Sequence, residues 1–296
     1  MGLGASRVSE RAFSAPATPL WVGDAFAEKR RALRAASPAA LAVLSDFDRT
    51  LTASGAPECH DIVGLHAGDT MPPAYSAAMA RMLDFSQPLP TATLEEWWVR
   101  CSELMVEHGW RRACLAPAVA ASGVTLRDGA VELVAALAAH EVPLVVLSAG
   151  LSDVIETLLR ARCGGALPPS VAVVANRMVF DDDDGGKLLR VTPSPPLHTD
   201  NKREMLVALR PDAFAPASPR RLVILLGDKP KDAHSLDLLP PGAVDVVLRV
   251  GFMEGHDGRY SLEDYAAAYD VVFSADCSMA PVQELLDEVV ASGGCF

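Results

Sequence analysis

At 296 residues, half of them hydrophobic and 22% charged, the chain is long enough to bury one large core, or a core carrying a sizeable insertion. A formal net charge of −12 with no long basic stripe disfavours nucleic acid and anionic membrane as partners. No apolar run reaches the eighteen or so residues of a membrane span, and six cysteines without a C-x-x-C pair suit free thiols in a reducing compartment, which points to the cytoplasm.

The first forty residues read as a tail followed by a leading helix. "MGLGAS" has the spacing of an N-myristoylation signal, and "SRVSERAFSAPA" the composition of a transit peptide. Such patterns are permissive, and an unmodified tail is the simplest reading. A single acyl chain would in any case give reversible attachment, not stable membrane insertion.

The next run, "LAVLSD" (41–46), has the continuous apolarity of a strand covered on both faces. It ends on Asp46, with Asp48 one residue beyond: two like charges that a buried strand end tolerates only beside a cation. Residues 53–125 then show no strand-like run but several helical ones, including "AYSAAMARML" and "LEEWWVRCSELMVEHG", and read as an inserted helical cap. Trp97 and Trp98 sit on that second helix, where helical spacing favours packing over ligand contact.

Beyond the cap, helical and strand-like runs alternate. "DGAVELVAALAAH" leads to the strand "VPLVVLSAG" (142–150), and "SDVIETLLRAR" to "VAVVAN" (171–176). A hairpin over 177–191 follows, its tip "DDDDGG" reading as a solvated turn. After Pro-rich connectors and the helix "NKREMLVALR" come the strands "RLVILLGD" (221–228), "VDVVLRV" (244–250) and "DVVFSA" (270–275). The helices "KDAHSLDLL", "SLEDYAAAY" and "APVQELLDEVV" are expected between and after them. The pattern predicts an α/β fold: a Rossmann-like parallel sheet with helices on both faces, built from 41–52 and 126–296, with the all-helical cap (53–125) inserted after the first strand.

Open parallel sheets bind ligands beyond the carboxyl ends of their strands. Asp46, Asp48, Ser148 and Asp228 fall at such ends, and Lys202 begins the helix after the hairpin. Each alone is an ordinary capping, turn or surface residue. Only their conjunction at one end of the sheet carries information.

In order, "SDFDRTLT", "VVLSAG", "NKRE" and "LLGDKPKD" resemble the four motifs of the haloacid dehalogenase superfamily. With "FDRTLT", "CHDIVG", "LSAGLSDVIETLLR" and "YDVVFSADCS", the chain from Leu41 onward is similar to the pyrimidine 5′-nucleotidase family, the type III cytosolic 5′-nucleotidases. The resemblance implies a Mg²⁺-dependent hydrolase of nucleoside 5′-monophosphates, pyrimidine favoured, acting through an aspartyl-phosphate. Asp46 would be nucleophile and Asp48 acid–base. Ser148 and the Ala149 amide would bind the phosphoryl oxygens, and Lys202 would neutralise charge. Asp46, Asp228 and the Asp48 carbonyl would hold the metal, with Asp232 behind them. An acid at position 48 points to phosphatase chemistry, because the superfamily's dehalogenases lack one there.

Two departures from the family's pattern stand out. Phe85 occupies the position of a base-selecting glutamate, and Glu107 that of a serine before the cap histidine, so base contacts by Phe85 and Glu107 are an expectation specific to this chain. Between Asp228 and Asp232 the family carries small or uncharged polar residues; here stand Lys229, Pro230 and Lys231. The alternatives are a phosphatase for another small monoester and a non-catalytic nucleotide-binding relative.

Overall fold

Six runs rich in valine and leucine pair in parallel as the centre of one twisted sheet. The computed structural model describes residues 17–86, 90–210, 214, 219–254 and 259–293; the acylation and transit readings of the N-terminus lie outside them. The strands are β1 (Trp21–Val22), β2 (Leu41–Ser45), β3 (Leu144–Leu151), β4 (Val171–Asp181), β5 (Lys187–Thr192), β6 (Leu222–Gly227), β7 (Val246–Met253) and β8 (Val271–Ser274). Their spatial order is β1-β8-β7-β6-β2-β3-β4-β5. β2 lies between β6 and β3, parallel to both, and its five residues are all buried.

Both edges of the sheet are antiparallel; one is the expected hairpin, the other, β1, is not among the expected strands. β1 pairs antiparallel with β8, and β5 returns antiparallel along β4. β4 runs unbroken from the sheet into the hairpin, so the expected strand and the first hairpin arm are one element. A short antiparallel partner satisfies backbone groups that an open edge would leave exposed.

Period-2 alternation sends the side chains of β2 to opposite faces. Leu41 and Val43 enter a core shared with α1 (Phe26–Arg34), α6 (Ala130–Ala139), α7 (Ser152–Arg162) and α10 (Ala280–Gly293). Ala42 and Leu44 enter the other, with α8 (Lys202–Leu209) and α9 (Leu262–Ala268). The sheet is therefore covered on both faces. "KDAHSLDLL" does not form the expected α-helix: a 3₁₀ turn, Pro230–His234, stands there. Pro230 in its first turn supplies no N–H, and the Asp232 carboxylate turns back to accept the Lys229 amide at 3.0 Å.

Between β2 and β3 lie α2 (Cys59–Leu65), α3 (Pro73–Met82), α4 (Leu94–Glu107) and α5 (Leu115–Ala121). α4 starts on a capping box: the Glu96 amide donates to Thr93 Oγ1 at 3.1 Å, and the Glu96 carboxylate accepts the Thr93 amide at 3.3 Å. Its inner face places Trp97, Trp98, Cys101 and Met105 in the core with Tyr75 and Met79. The Trp97 indole donates to the Met82 carbonyl at 2.7 Å, so both tryptophans are packing residues.

The loop after β2 is a tight turn in which the amides of Thr50, Leu51 and Thr52 all converge on the Phe47 carbonyl. Arg49 adopts a left-handed conformation there (φ 60°), uncommon for a residue with a Cβ. Buried Arg127 holds the turn from behind. Its guanidinium donates to the carbonyls of Thr50 (2.6 Å), Cys277 (2.7 Å), Arg49 and Ala275, and lies 4.1 Å over the Phe252 ring. Arg127→Met strands these carbonyls, so urea denaturation should show a loss of at least about 2 kcal/mol; a loss under about 0.5 kcal/mol would mean the turn holds itself.

Candidate active site

Because β2 and β6 are neighbours in register, their carboxyl ends bring Asp46 and Asp228 together, and the 3₁₀ turn after β6 adds Asp232. Carboxylate oxygens of these three buried residues lie within 4.8 Å of one another. Gly227 makes this approach possible: a Cβ there would stand 2.5 Å from the Asp232 Cβ and from the Tyr269 hydroxyl oxygen.

Lys202, the first residue of α8, reaches under this group. Its ammonium donates to Asp46 Oδ1 and to Asp232 Oδ1, each at 2.6 Å, with all three side chains buried. Burial pulls the ammonium down, but the Asp232 and Asp46 carboxylates more than offset that, and its pKa ends above the ordinary lysine value. Asp232 is thereby engaged on both oxygens, by Lys202 and the Lys229 amide. Asp228 is not. Its Oδ1 has no hydrogen-bond partner, and neither has Asp48 Oδ1.

Burial raises the Asp46 carboxyl above the ordinary aspartate range, with Lys202 drawing it back. Asp228 is pushed well up by burial against the pull of Lys229. Asp48 is pushed well up by burial, then by the charges of Glu58 and Asp46. An unpartnered buried carboxylate oxygen beside two more carboxylates is the donor set of a hard, oxygen-seeking divalent cation. The residues present fit such an ion.

The phosphate-binding segment predicted at the end of β3 has a structural cause. Pairing between β3 and β4 shifts register between Leu147 and Leu151, so Ser148, Ala149 and Gly150 lie in an irregularity of the ladder, a device that re-aims side chains. The Gly150 amide donates to Ser148 Oγ at 2.9 Å, orienting that hydroxyl. A Cβ on Gly150 would meet Cys59 Sγ at 2.5 Å, so the first residue of α2 packs directly on this loop.

Asn176 holds the loop from the next strand. Its amide donates to the carbonyls of Ala149 (2.9 Å) and Leu197 (2.8 Å), and its Oδ1 accepts the Leu197 amide at 2.8 Å. Sequence reasoning did not single out Asn176 or Arg127. A polar residue ending an apolar strand, the signal used for Asp228, was available for Asn176; Arg127 carried none.

Phe85 and Glu107 are not brought together. The Phe85 ring is half exposed and rests 5.6 Å from that of Trp97. Glu107 lies ten residues further along α4, about 15 Å at the helical rise, and pairs on the surface with Arg100 at 2.6 and 3.0 Å. His60 lies buried against Trp98 (3.8 Å between centroids) and Trp97, and burial pushes its pKa down to about 3, which keeps it neutral.

With this geometry the relatives agree. The pyrimidine 5′-nucleotidase (UMPH-1) family profile matches residues 85–290. A 7-methylguanosine phosphate-specific 5′-nucleotidase of Gallus gallus is 33% identical over 276 residues, spanning 86% of this chain and 90% of that protein. The crystal structure of cytosolic 5′-nucleotidase IIIB bound to cytidine superposes with a TM-score of 0.72 at 22% identity, over 90% of each chain. A substrate-bound phosphoserine phosphatase, 18% identical over 84% of this chain and 97% of its own, shares the fold at a TM-score of 0.50.

Lys202→Met leaves its carboxylate partners without their shared cation. A carboxyl whose pKa is raised in the folded state contributes stability that is complete below its unfolded value, about 4, and lost as pH rises through the folded value. In EDTA, the variant should therefore lose about 3 kcal/mol at pH 8 and measurably less at pH 5. An equal loss at both pH values in denaturant titrations would contradict the charge balance described.

Proposed function

The chain belongs to the pyrimidine 5′-nucleotidase family and is a 5′-nucleotidase; from that premise we propose that it is a Mg²⁺-dependent enzyme in which Asp46 attacks the phosphorus of a nucleoside 5′-monophosphate. What carries this reading is the convergence of Asp46, Asp228 and Lys202 at adjoining strand and helix ends, a buried nucleophile with both kinds of cation site beside it.

An Asp46 oxygen forms the new bond to phosphorus while the bond to the ribose 5′-oxygen breaks. Asp48, whose elevated pKa keeps a proton available, delivers that proton to the leaving alkoxide. The resulting Asp48 carboxylate then takes a proton from water as that water attacks the aspartyl-phosphate, releasing phosphate and restoring Asp46. Ser148 and the Ala149 amide donate to the phosphoryl oxygens, and the Lys202 ammonium offsets negative charge beside Asp46 throughout. A Mg²⁺ ion on Asp46, Asp228 and the Asp48 carbonyl would screen the repulsion between carboxylate and phosphate dianion. Asp232 holds Lys202 and so acts through it.

For the base, the exposed face of Phe85 on the Trp97 platform offers the flat apolar surface that a pyrimidine needs. A 7-methylated guanine is the second reading, favoured by the specificity named for the Gallus gallus relative. Glu107, paired with Arg100 at 2.6 and 3.0 Å, would have to leave that partner to hydrogen-bond a base. The protein works in the cytoplasm on small nucleotides.

Phosphate release from UMP, CMP, AMP, GMP and 7-methyl-GMP, each with Mg²⁺ and with EDTA, tests the whole reading. Turnover of UMP, CMP or 7-methyl-GMP that EDTA abolishes is expected; with glucose 6-phosphate and phosphoserine added to the panel, a preference for either over every nucleotide would overturn it. Asp46→Asn should abolish turnover, and Asp48→Asn should lower kcat at least about 10²-fold. Phe85→Ala should alter the relative rates among bases, and unchanged ratios would remove Phe85 from base recognition.

A further inference from the structure

The site holds a second lysine that the mechanism above does not use. Lys229 follows Asp228 directly, at a position where the family pattern carries small or uncharged residues. Its ammonium stands 3.9 Å from Asp228 Oδ2, and its side chain is 26% exposed. The 3.9 Å separation is an ion pair without a hydrogen bond. Lys202 is committed to Asp46 and Asp232 at 2.6 Å, whereas among the described residues Lys229 pairs with Asp228 alone, at 3.9 Å.

The Lys229 backbone is pinned independently of this side chain. Its amide donates to Asp232 Oδ2 at 3.0 Å, and its carbonyl accepts the Tyr269 hydroxyl at 2.5 Å. Its dihedrals are ordinary extended ones (φ −126°, ψ 145°), open to other side chains. A flexible four-carbon stem thus delivers one positive charge to the unsatisfied carboxylate of the pocket from a fixed root.

We propose that Lys229 is a tethered counter-cation that competes with the divalent ion for Asp228. It stabilises the carboxylate cluster while the pocket is metal-free, and it must be displaced toward solvent or toward the incoming phosphate when the ion binds. Asp228 then serves the lysine and the metal in turn. The consequence is a weakened affinity for Mg²⁺ that a neutral residue at 229 would restore. This inference rests on the Mg²⁺ reading of the site.

Calorimetric titration of the full-length protein with MgCl₂ alone tests it, together with melting of each protein in EDTA. Lys229→Met and Lys229→Gln should bind Mg²⁺ about tenfold more tightly, a shift of about 1.4 kcal/mol, and both should melt at lower temperature in EDTA. Lys229→Arg keeps the charge and should stay within about twofold of the wild-type Kd. Lys231→Met removes an equal charge from the surface, where Lys231 pairs with Asp200 at 2.5 Å, and should leave the Kd unchanged. Neutral variants that bind Mg²⁺ no tighter than wild type overturn the role of Lys229 while leaving the metal reading intact. If wild type and variants alike bind no Mg²⁺, the metal reading fails and this inference fails with it.

Discussion

The structure depends on one ammonium shared by two carboxylates. Gathering Asp46, Asp228 and Asp232 in a buried pocket costs desolvation and mutual repulsion, terms that would neutralise or scatter isolated acids. Lys202, bonded to Asp46 and Asp232 at equal distance, offsets part of that cost and sets the direction of both side chains. Asp228 and Asp48 each keep a buried oxygen without a hydrogen-bond partner. The site is therefore built as a deficit of positive charge.

Precision in this pocket comes from clamps on the backbone. Arg127 spends its guanidinium on four carbonyls, two in the turn that carries the nucleophile and two after β8. Asn176 ties the irregular end of β3 to Leu197, five residues before Lys202. The end of β3, the turn after β2 and the start of α8 are thus tied to neighbouring strands, and through Lys202 and Asp46 to one another.

The inserted helices share the same core as the sheet, yet they also reach the chemistry through specific contacts. Cys59, the first residue of α2, packs against Gly150 at the end of β3. Glu58, the N-cap of α2, pairs with Arg49 in the nucleophile turn at 3.0 Å and helps to keep the neighbouring acid protonated. The helical insertion thus enters the electrostatics of the acid–base residue as well as covering it. At the rim of these helices Phe85 stays exposed, while His60 and both tryptophans are consumed by packing.

Much of this was legible in the chain itself. Continuous apolarity marked the six central strands, because a strand covered on both faces has no solvent side on which to place polar residues. Asp46, Ser148 and Asp228 stood out because polar groups ending such runs must face a crevice. The edge strand β1, two residues long, had too little sequence to carry a pattern. Proline and a back-bonding aspartate replaced an expected helix by a 3₁₀ turn, a competition between side chain and backbone that periodicity does not register. Only the tertiary structure decided which charges meet: that Lys202 bridges Asp46 and Asp232, that Asp228 is left to Lys229, and that Phe85 and Glu107 stand apart. Sequence spacing specifies which face of an element a residue occupies, whereas an ion pair depends on how elements far apart in the chain are packed, to within an ångström.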